Sequence, residues 1–245
     1  MQITPPFGYN EVAPLQKTQK VRLLRPGEVP EFVRGNNAIP ISFAEFGLVA
    51  REYPIVFTSG DGGQNFGAIA VLGMVSGENL FCIDGAWAKE VYVPAYSRRF
   101  PFCMAKVTVN AVTQANRLIC VEQAHLDEAR GEAMFDDKGQ PLEKWKEIER
   151  LLTEYETDLE RSREMCAILA DYGLLEPFTM QAKLNAGGEM QLTGMHRVAE
   201  GRIEHLNASQ LKNLARKGIL GRMYAHLLSL DNFAKLLDRR LARAA

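Results

Sequence analysis

The stretch "DGAWAKEVYVPAYSRRFPF", residues 84–102, gathers the side chains of this chain that are best suited to recognition. Trp87, Tyr92, Tyr96, Phe100 and Phe102 are interleaved there with Arg98 and Arg99. Aromatic rings stack on planar and cationic groups, and a guanidinium fork matches a carboxylate or phosphate. Pro94 and Pro101 restrict the backbone between them, which lowers the entropy lost when such a segment is ordered. The pattern is read as a preformed binding surface made by Trp87, Tyr92, Tyr96, Arg98 and Arg99. Its partner would be a carboxylate-bearing small ligand or an acidic patch on another protein. The competing reading is an aromatic loop that wraps the core, with both arginines paired to local acids.

Other reactive residues form no catalytic pattern. His125, His196, His205 and His226 show neither HExxH nor HxH spacing, so no metal is expected. "GDGGQNFG" at 60–67 lacks the Lys-Ser/Thr of a phosphate-binding loop and does not match GxGxxG, so it reads as a turn. Ser59 and Ser76 lie outside any G-x-S-x-G elbow, and Cys120 with His125 is no catalytic arrangement by sequence. No catalytic residue and no cofactor is assigned. Cys82, Cys103, Cys120 and Cys166 lack CxxC spacing and sit in apolar surroundings, which reads as free buried thiols.

The elements that must position these residues are legible in part. Residues 1–20, with Pro5, Pro6, Gly8 and Pro14, read as an irregular arm that Phe7 and Tyr9 could dock on the body. Residues 21–245 read as one domain. "SFAEFGLVAREYPIVF" predicts a helix over 42–53: Ser42 and Glu45 make a capping box, and Ile41 and Phe46 a hydrophobic staple. Pro54 then ends the helix and opens a strand. "FGAIAVLGMV" does not alternate, as expected of a strand buried on both faces. "NLFCI" reads as a further strand and "DGAW" as a turn. "MAKVTVN" alternates, "RLICV" is its neighbour, and "AVTQAN" joins them.

From Pro141 the period becomes helical. Trp145, Ile148, Leu152, Tyr155, Leu159, Ser162, Cys166 and Leu169 recur at alternating spacings of three and four, which predicts one helix of roughly 45 Å over 142–172. Such a stripe could pair with its copy in a coiled coil. Leu151, Met165, Ile168 and Tyr172 widen the apolar face, which favours packing within the chain. A hairpin follows, "FTMQAKL" and "EMQLTGMHRV" around "NAGG". Asn207 and Gln210 form a second capping box, Gly218 ends that helix, and the remainder is helical with a break near Ser229. Arg239, Arg240 and Arg243 suit a helix C-terminus. The fold class is α+β: a central, mostly antiparallel sheet with one long helix and a C-terminal helical segment.

The 245 residues carry a formal charge of −1 with 47% hydrophobic and 24% charged residues, an ordinary soluble composition with no basic excess for nucleic acid. The longest nearly apolar run is too short for a membrane span. The N-terminus has no signal-peptide pattern, so the expected location is the cytoplasm, with non-classical export left open. Oligomeric state is not fixed by the pattern.

"NNAIPISFAEFGLVAREYPIVF", "VLGMVSGENLF", "WAKEVYVPAYSRRFPF", "FDDKGQPL", "LTGMHRV" and "GILGRMYAHLLSL" together resemble the bacterial SapC family, in the family's order and over roughly residues 20–237. The resemblance implies a link to surface-layer genes, and genomic neighbours that include flavin-dependent halogenases, cupin-like oxygenases and TonB-dependent receptors. It carries over no catalytic residue. The expected function is a binding or accessory protein in a surface-layer or outer-membrane nutrient-uptake system. The alternative is an enzyme or enzyme partner acting on a small molecule or peptide together with halogenase- or cupin-type neighbours.

The capping box carries a direct test. Ser42→Ala should lower the unfolding free energy by about 1 kcal/mol in chemical denaturation, whereas an unchanged midpoint would count against a capping role.

Overall fold

The computed structural model describes residues 2–109, 112–113, 117–183 and 189–244. It shows an α+β protein whose two main sheets are both antiparallel. At the centre of the first, Phe102–Val109 pairs with Leu118–Glu122. Gln2–Thr4 adds to the outer edge of the former and Val12–Pro14 to the outer edge of the latter. The segment read as an irregular arm therefore contributes both edges of a sheet. Strands of three residues are too short to display a period, and the prolines around them mimic a loop in sequence. Most of the "AVTQAN" connection and the "NAGG" turn lie outside the described residues.

The second sheet runs, in spatial order, Leu175–Lys183, Glu189–Val198, Ile55–Thr58, Gly67–Val71 and Ala38–Pro40. Gly67–Val71 lies inside it with Ala68, Ala70 and Val71 buried, as its unbroken apolar run predicts. The hairpin pairs Leu175 with Val198 through Lys183 with Glu189, with one irregularity between Phe178 and Met180. "NLFCI" yields only the short strand Cys82–Ile83, which turns through Asp84 and Gly85, both at positive φ, into Ala86–Trp87.

The long helix Glu143–Asp171 joins the two halves. Trp145 and Leu152 pack with Phe102, Val121 and Met134 beside the first sheet. Tyr155, Met165, Cys166 and Leu169 enter the larger core around the second. The stripe is thus buried within its own chain. The helix closes on Gly173 at φ 64°: Leu174 N–H donates to Leu169 O at 2.8 Å and Gly173 N–H to Ala170 O at 2.9 Å.

The helix expected over 42–53 is a 3₁₀ turn, Phe43–Glu45, running into the short α-helix Phe46–Val49, with turns to Tyr53. What secures the junction at Pro54 is the C-terminal helical segment, Ile219–Ser229 and Asn232–Ala244. Asn232 Nδ2 donates to Ala50 O at 2.8 Å and Tyr53 O at 3.2 Å. Ser229 Oγ accepts from Ile55 N–H at 2.9 Å. His226, fully buried, accepts from Val198 N–H at 3.1 Å through Nε2 and faces Ile55 O at 2.8 Å through Nδ1. The neighbouring strands register at Phe57 and His196, so Ile55 and Val198 would be the next facing pair, and the imidazole stands between them. Farther along, Arg240 grips Glu78 and Arg243 donates to Asn79 O and Cys82 O. These arginines clamp a loop rather than cap their own helix.

Because Nε2 must accept from Val198, His226 works only as the neutral imidazole. Burial pushes its pKa down to about 4, well below the usual 6.5. Its contribution is complete above pH ~6.5 and is lost as pH falls toward ~4, on the order of 3 kcal/mol at most. The melting temperature should therefore fall between pH 7 and pH 4.5, and His226→Gln should flatten that fall. An equal slope in the variant would show that acid sensitivity arises elsewhere.

Candidate functional site

Glu45 is the group around which the aromatic segment is built. The residue is 4% exposed. Oε2 accepts from the Ser42 N–H at 2.8 Å, one half of the capping box expected from sequence, and from the Ser42 hydroxyl at 2.9 Å. Oε1 accepts from Ala95 N–H at 2.6 Å and Tyr92 OH at 3.1 Å. One buried carboxylate therefore ties the helical turn at 43–49 to the segment 92–98, and its charge is met by four donors. Pro94 opens the single helical turn Ala95–Arg98, whose first N–H Glu45 takes.

A second set of bonds aligns the segment from behind. Trp87 Nε1 donates to Tyr53 OH at 2.8 Å, and Tyr53 OH donates to Tyr92 O at 2.7 Å. Tyr53 is fully buried and its ring lies 4.3 Å from that of Phe81. Tyr96 is buried and donates to Phe7 O at 2.6 Å, which pins the N-terminal segment over this region. Trp87, Tyr53 and Tyr96 thus spend their polar atoms inside the protein. Burial, and after it the nearby Glu45 charge, pushes the Tyr92 hydroxyl up to about 12, so Tyr92 remains a neutral donor.

The two adjacent arginines have opposite environments. Arg99 is 3% exposed. Its guanidinium lies 4.1 Å from the ring centroid of Tyr96, 4.8 Å from that of Tyr155 and 5.6 Å from that of Tyr9. Glu156 stands 3.6 Å away and is shared with Arg117. Three ring faces and one carboxylate hold a buried cation, a packing arrangement. Arg98 is exposed. Its Nε donates to Val93 O and its Nη2 to Tyr92 OH, both at 3.0 Å. Among the described residues no carboxylate pairs with Arg98.

Arg98 opens onto a cavity of about 360 Å³. One wall is Val93 and Ser97–Phe100, the second the segment Leu23–Glu28, the third the first turns of the long helix from Lys144 to Leu151. Leu23, Leu24, Val93, Phe100, Ile148 and Leu151 make it apolar, while Arg25, Arg98 and Lys144 add positive charge and Glu28 and Glu147 negative. Of the five residues read from the sequence as a binding surface, Arg98 and Arg99 line this cavity, and Trp87, Tyr92 and Tyr96 do not. The other two walls carried no motif by which sequence could find them.

A neighbouring cavity of about 460 Å³ shares Leu24, Glu28 and Phe100 with the first and is lined further by Arg22, Arg34, Glu122 and His125. His125 is engaged at both ring nitrogens, by Arg22 O at 2.7 Å and Arg22 Nη2 at 3.1 Å, and burial lowers its pKa. The glycine-rich loop is occupied by its own residues: Asp61 accepts from Gln64 N–H and Asn65 N–H, and Ser59 Oγ from Gly63 N–H. Among the described residues no three His, Cys, Asp or Glu side chains converge as a metal site, and no helix is long and apolar enough to cross a membrane.

The family model described as SapC matches residues 17–236. No curated protein and no solved structure matches the chain.

The Glu45 arrangement carries its own test. Glu45→Ala strands buried donors from two segments and should destabilise by on the order of 3 kcal/mol in chemical denaturation. Tyr92→Phe, which removes one donor, should cost about 1 kcal/mol. A loss below ~1 kcal/mol for Glu45→Ala would show that solvent replaces these bonds and that Glu45 is not the organising group.

Proposed function

The chain belongs to the SapC family, and from that premise we propose that it is a binding protein whose ligand joins an apolar body to a carboxylate, held in the cavity beside Arg98. The observation that carries this reading is an exposed guanidinium that lines an apolar cavity of about 360 Å³ and has no carboxylate partner among the described residues. That volume falls in the range of small-molecule sites. Bonds to Val93 O and Tyr92 OH fix Arg98 without consuming its charge, so little side-chain entropy remains to be lost on binding. The apolar walls would take the ligand body, and Arg25 would reinforce the positive end, while Lys144 is already paired with Glu132.

The wider setting of this reading is an accessory role in a bacterial surface-layer or outer-membrane nutrient-uptake system, supported by the family's link to surface-layer genes. A second reading, an enzyme acting on the same ligand class, draws on Glu28 and Glu147, two carboxylates lining the same cavity. Both readings place the ligand carboxylate at Arg98.

Decanoate and decanol serve as probes for isothermal titration. Decanoate should bind, and Arg98→Ala should weaken it about tenfold, the loss expected for one charge-assisted hydrogen bond. Decanol should bind the variant and the parent alike, and the melting temperature should not change. Equal decanoate affinity in the Arg98 variant would remove the proposed site.

A further inference from the structure

One buried cysteine pair lines neither of the two cavities. In the ladder between Phe102–Val109 and Leu118–Glu122, Cys103 and Cys120 are register partners. Both are fully buried. Facing residues of an antiparallel ladder point to the same side of the sheet. The packing agrees: Phe102, Met104, Ile119 and Val121 lie with Trp145 on one face. Cys103, Ala105, Leu118 and Cys120 lie with Tyr9 and Val12 on the other. The two thiols are therefore neighbours beneath the N-terminal segment.

Facing residues in such a ladder have Cα atoms about 4.5 or 5.5 Å apart, both within the roughly 4.4–6.8 Å that a disulfide spans. Their Cβ atoms, about 4.5–5.5 Å apart, must draw in toward ~3.8 Å, so the bond would carry strain and reduce readily. The remaining cysteines lack this geometry: Cys82 faces Trp87 in its ladder, and Cys166 lies on the long helix.

We propose that Cys103 and Cys120 form a reversible disulfide across this ladder when the protein meets a low-molecular-weight disulfide, and that the N-terminal segment guards the pair. One cysteine, as thiolate, attacks a sulfur of the oxidant and expels a thiolate. The second cysteine, as thiolate, displaces the other half from the mixed disulfide. Two protein S–H bonds are lost and one S–S bond is gained, and the oxidant leaves as two thiols carrying both electrons and both protons.

The guard is the crossing from Gln2–Thr4 on one sheet edge to Val12–Pro14 on the other. Tyr9, in that crossing, donates its hydroxyl to Phe102 O at 2.7 Å and packs on the thiol face. Under this cover burial pushes the Cys103 thiol up to about 12 and the Cys120 thiol up to about 11, so neither is a nucleophile at neutral pH until the segment lifts.

The test uses the full chain, reduced, unfolded and refolded in a glutathione redox buffer, then read by intact mass and non-reducing peptide mapping. The expected product is a single species lighter by two hydrogens, bridged between Cys103 and Cys120 and restored by dithiothreitol. Cys103→Ala and Cys120→Ala should each abolish it, while Cys82→Ala and Cys166→Ala should retain it. Folded protein exposed to oxidised glutathione should form the same bond slowly, and Tyr9→Phe should accelerate it roughly fivefold, as expected for losing one buried hydrogen bond. Four free thiols after refolding, or a bridge through Cys82 or Cys166, would overturn the site. An unchanged rate in Tyr9→Phe would overturn the guard.

Discussion

A buried carboxylate must find donors or lose its charge, and Glu45 finds four, drawn from two segments far apart in sequence, at Ser42 and at Tyr92 and Ala95. Once Ser42 and Ala95 share that acceptor, the helical turn at 43–49 and the segment 92–98 have one relative position. Tyr92 is then held at its hydroxyl by Glu45 and at its carbonyl by Tyr53. Arg98 rests against the Tyr92 hydroxyl and the Val93 carbonyl, which places its charge in the cavity lining. The chain of dependence runs from a capping box, a local device worth about 1 kcal/mol in most helices, to the orientation of the exposed cation.

The same short region is gripped from its other end. His226, Ser229 and Asn232 recur every three residues along the C-terminal helical segment and meet the backbone of residues 50–55. Glu45 fixes where the region begins, and these three side chains fix where it ends. Between them Tyr53 carries the hydrogen-bonded path from Trp87 to Tyr92. Residues that look like a family signature in sequence are in large part those that satisfy one another's buried polar groups.

The sequence made visible whatever depended on local spacing. The capping boxes at Ser42 and Asn207, the Pro54 stop and the stripe from Trp145 to Leu169 rest on residues a few positions apart, and "MAKVTVN" pairs with "RLICV" across one short connection. What stayed hidden depended on tertiary placement. Arg98 and Arg99 are adjacent and both line the cavity, but successive residues of a helical turn point about 100° apart, so the guanidinium of Arg98 is exposed and that of Arg99 enters a tyrosine cage. Trp87 and Tyr96 read equally well as recognition residues or core until their polar atoms were located, at Tyr53 OH and Phe7 O. Cys103 and Cys120 became a pair only once the register of two strands was known.

The claim on which the rest stands is that Glu45 makes the turn at 43–49 and the segment 92–98 a single cooperative unit. Native-state hydrogen exchange, resolved at the Ser42 and Ala95 amides, tests it most directly, because both N–H groups donate to this one carboxylate. The account predicts that the two amides exchange with the same opening free energy and the same denaturant dependence, close to those of global unfolding. An Ala95 amide that exchanges through a small local opening while Ser42 stays protected would contradict it, for the segment beside Arg98 would then be held by something other than Glu45.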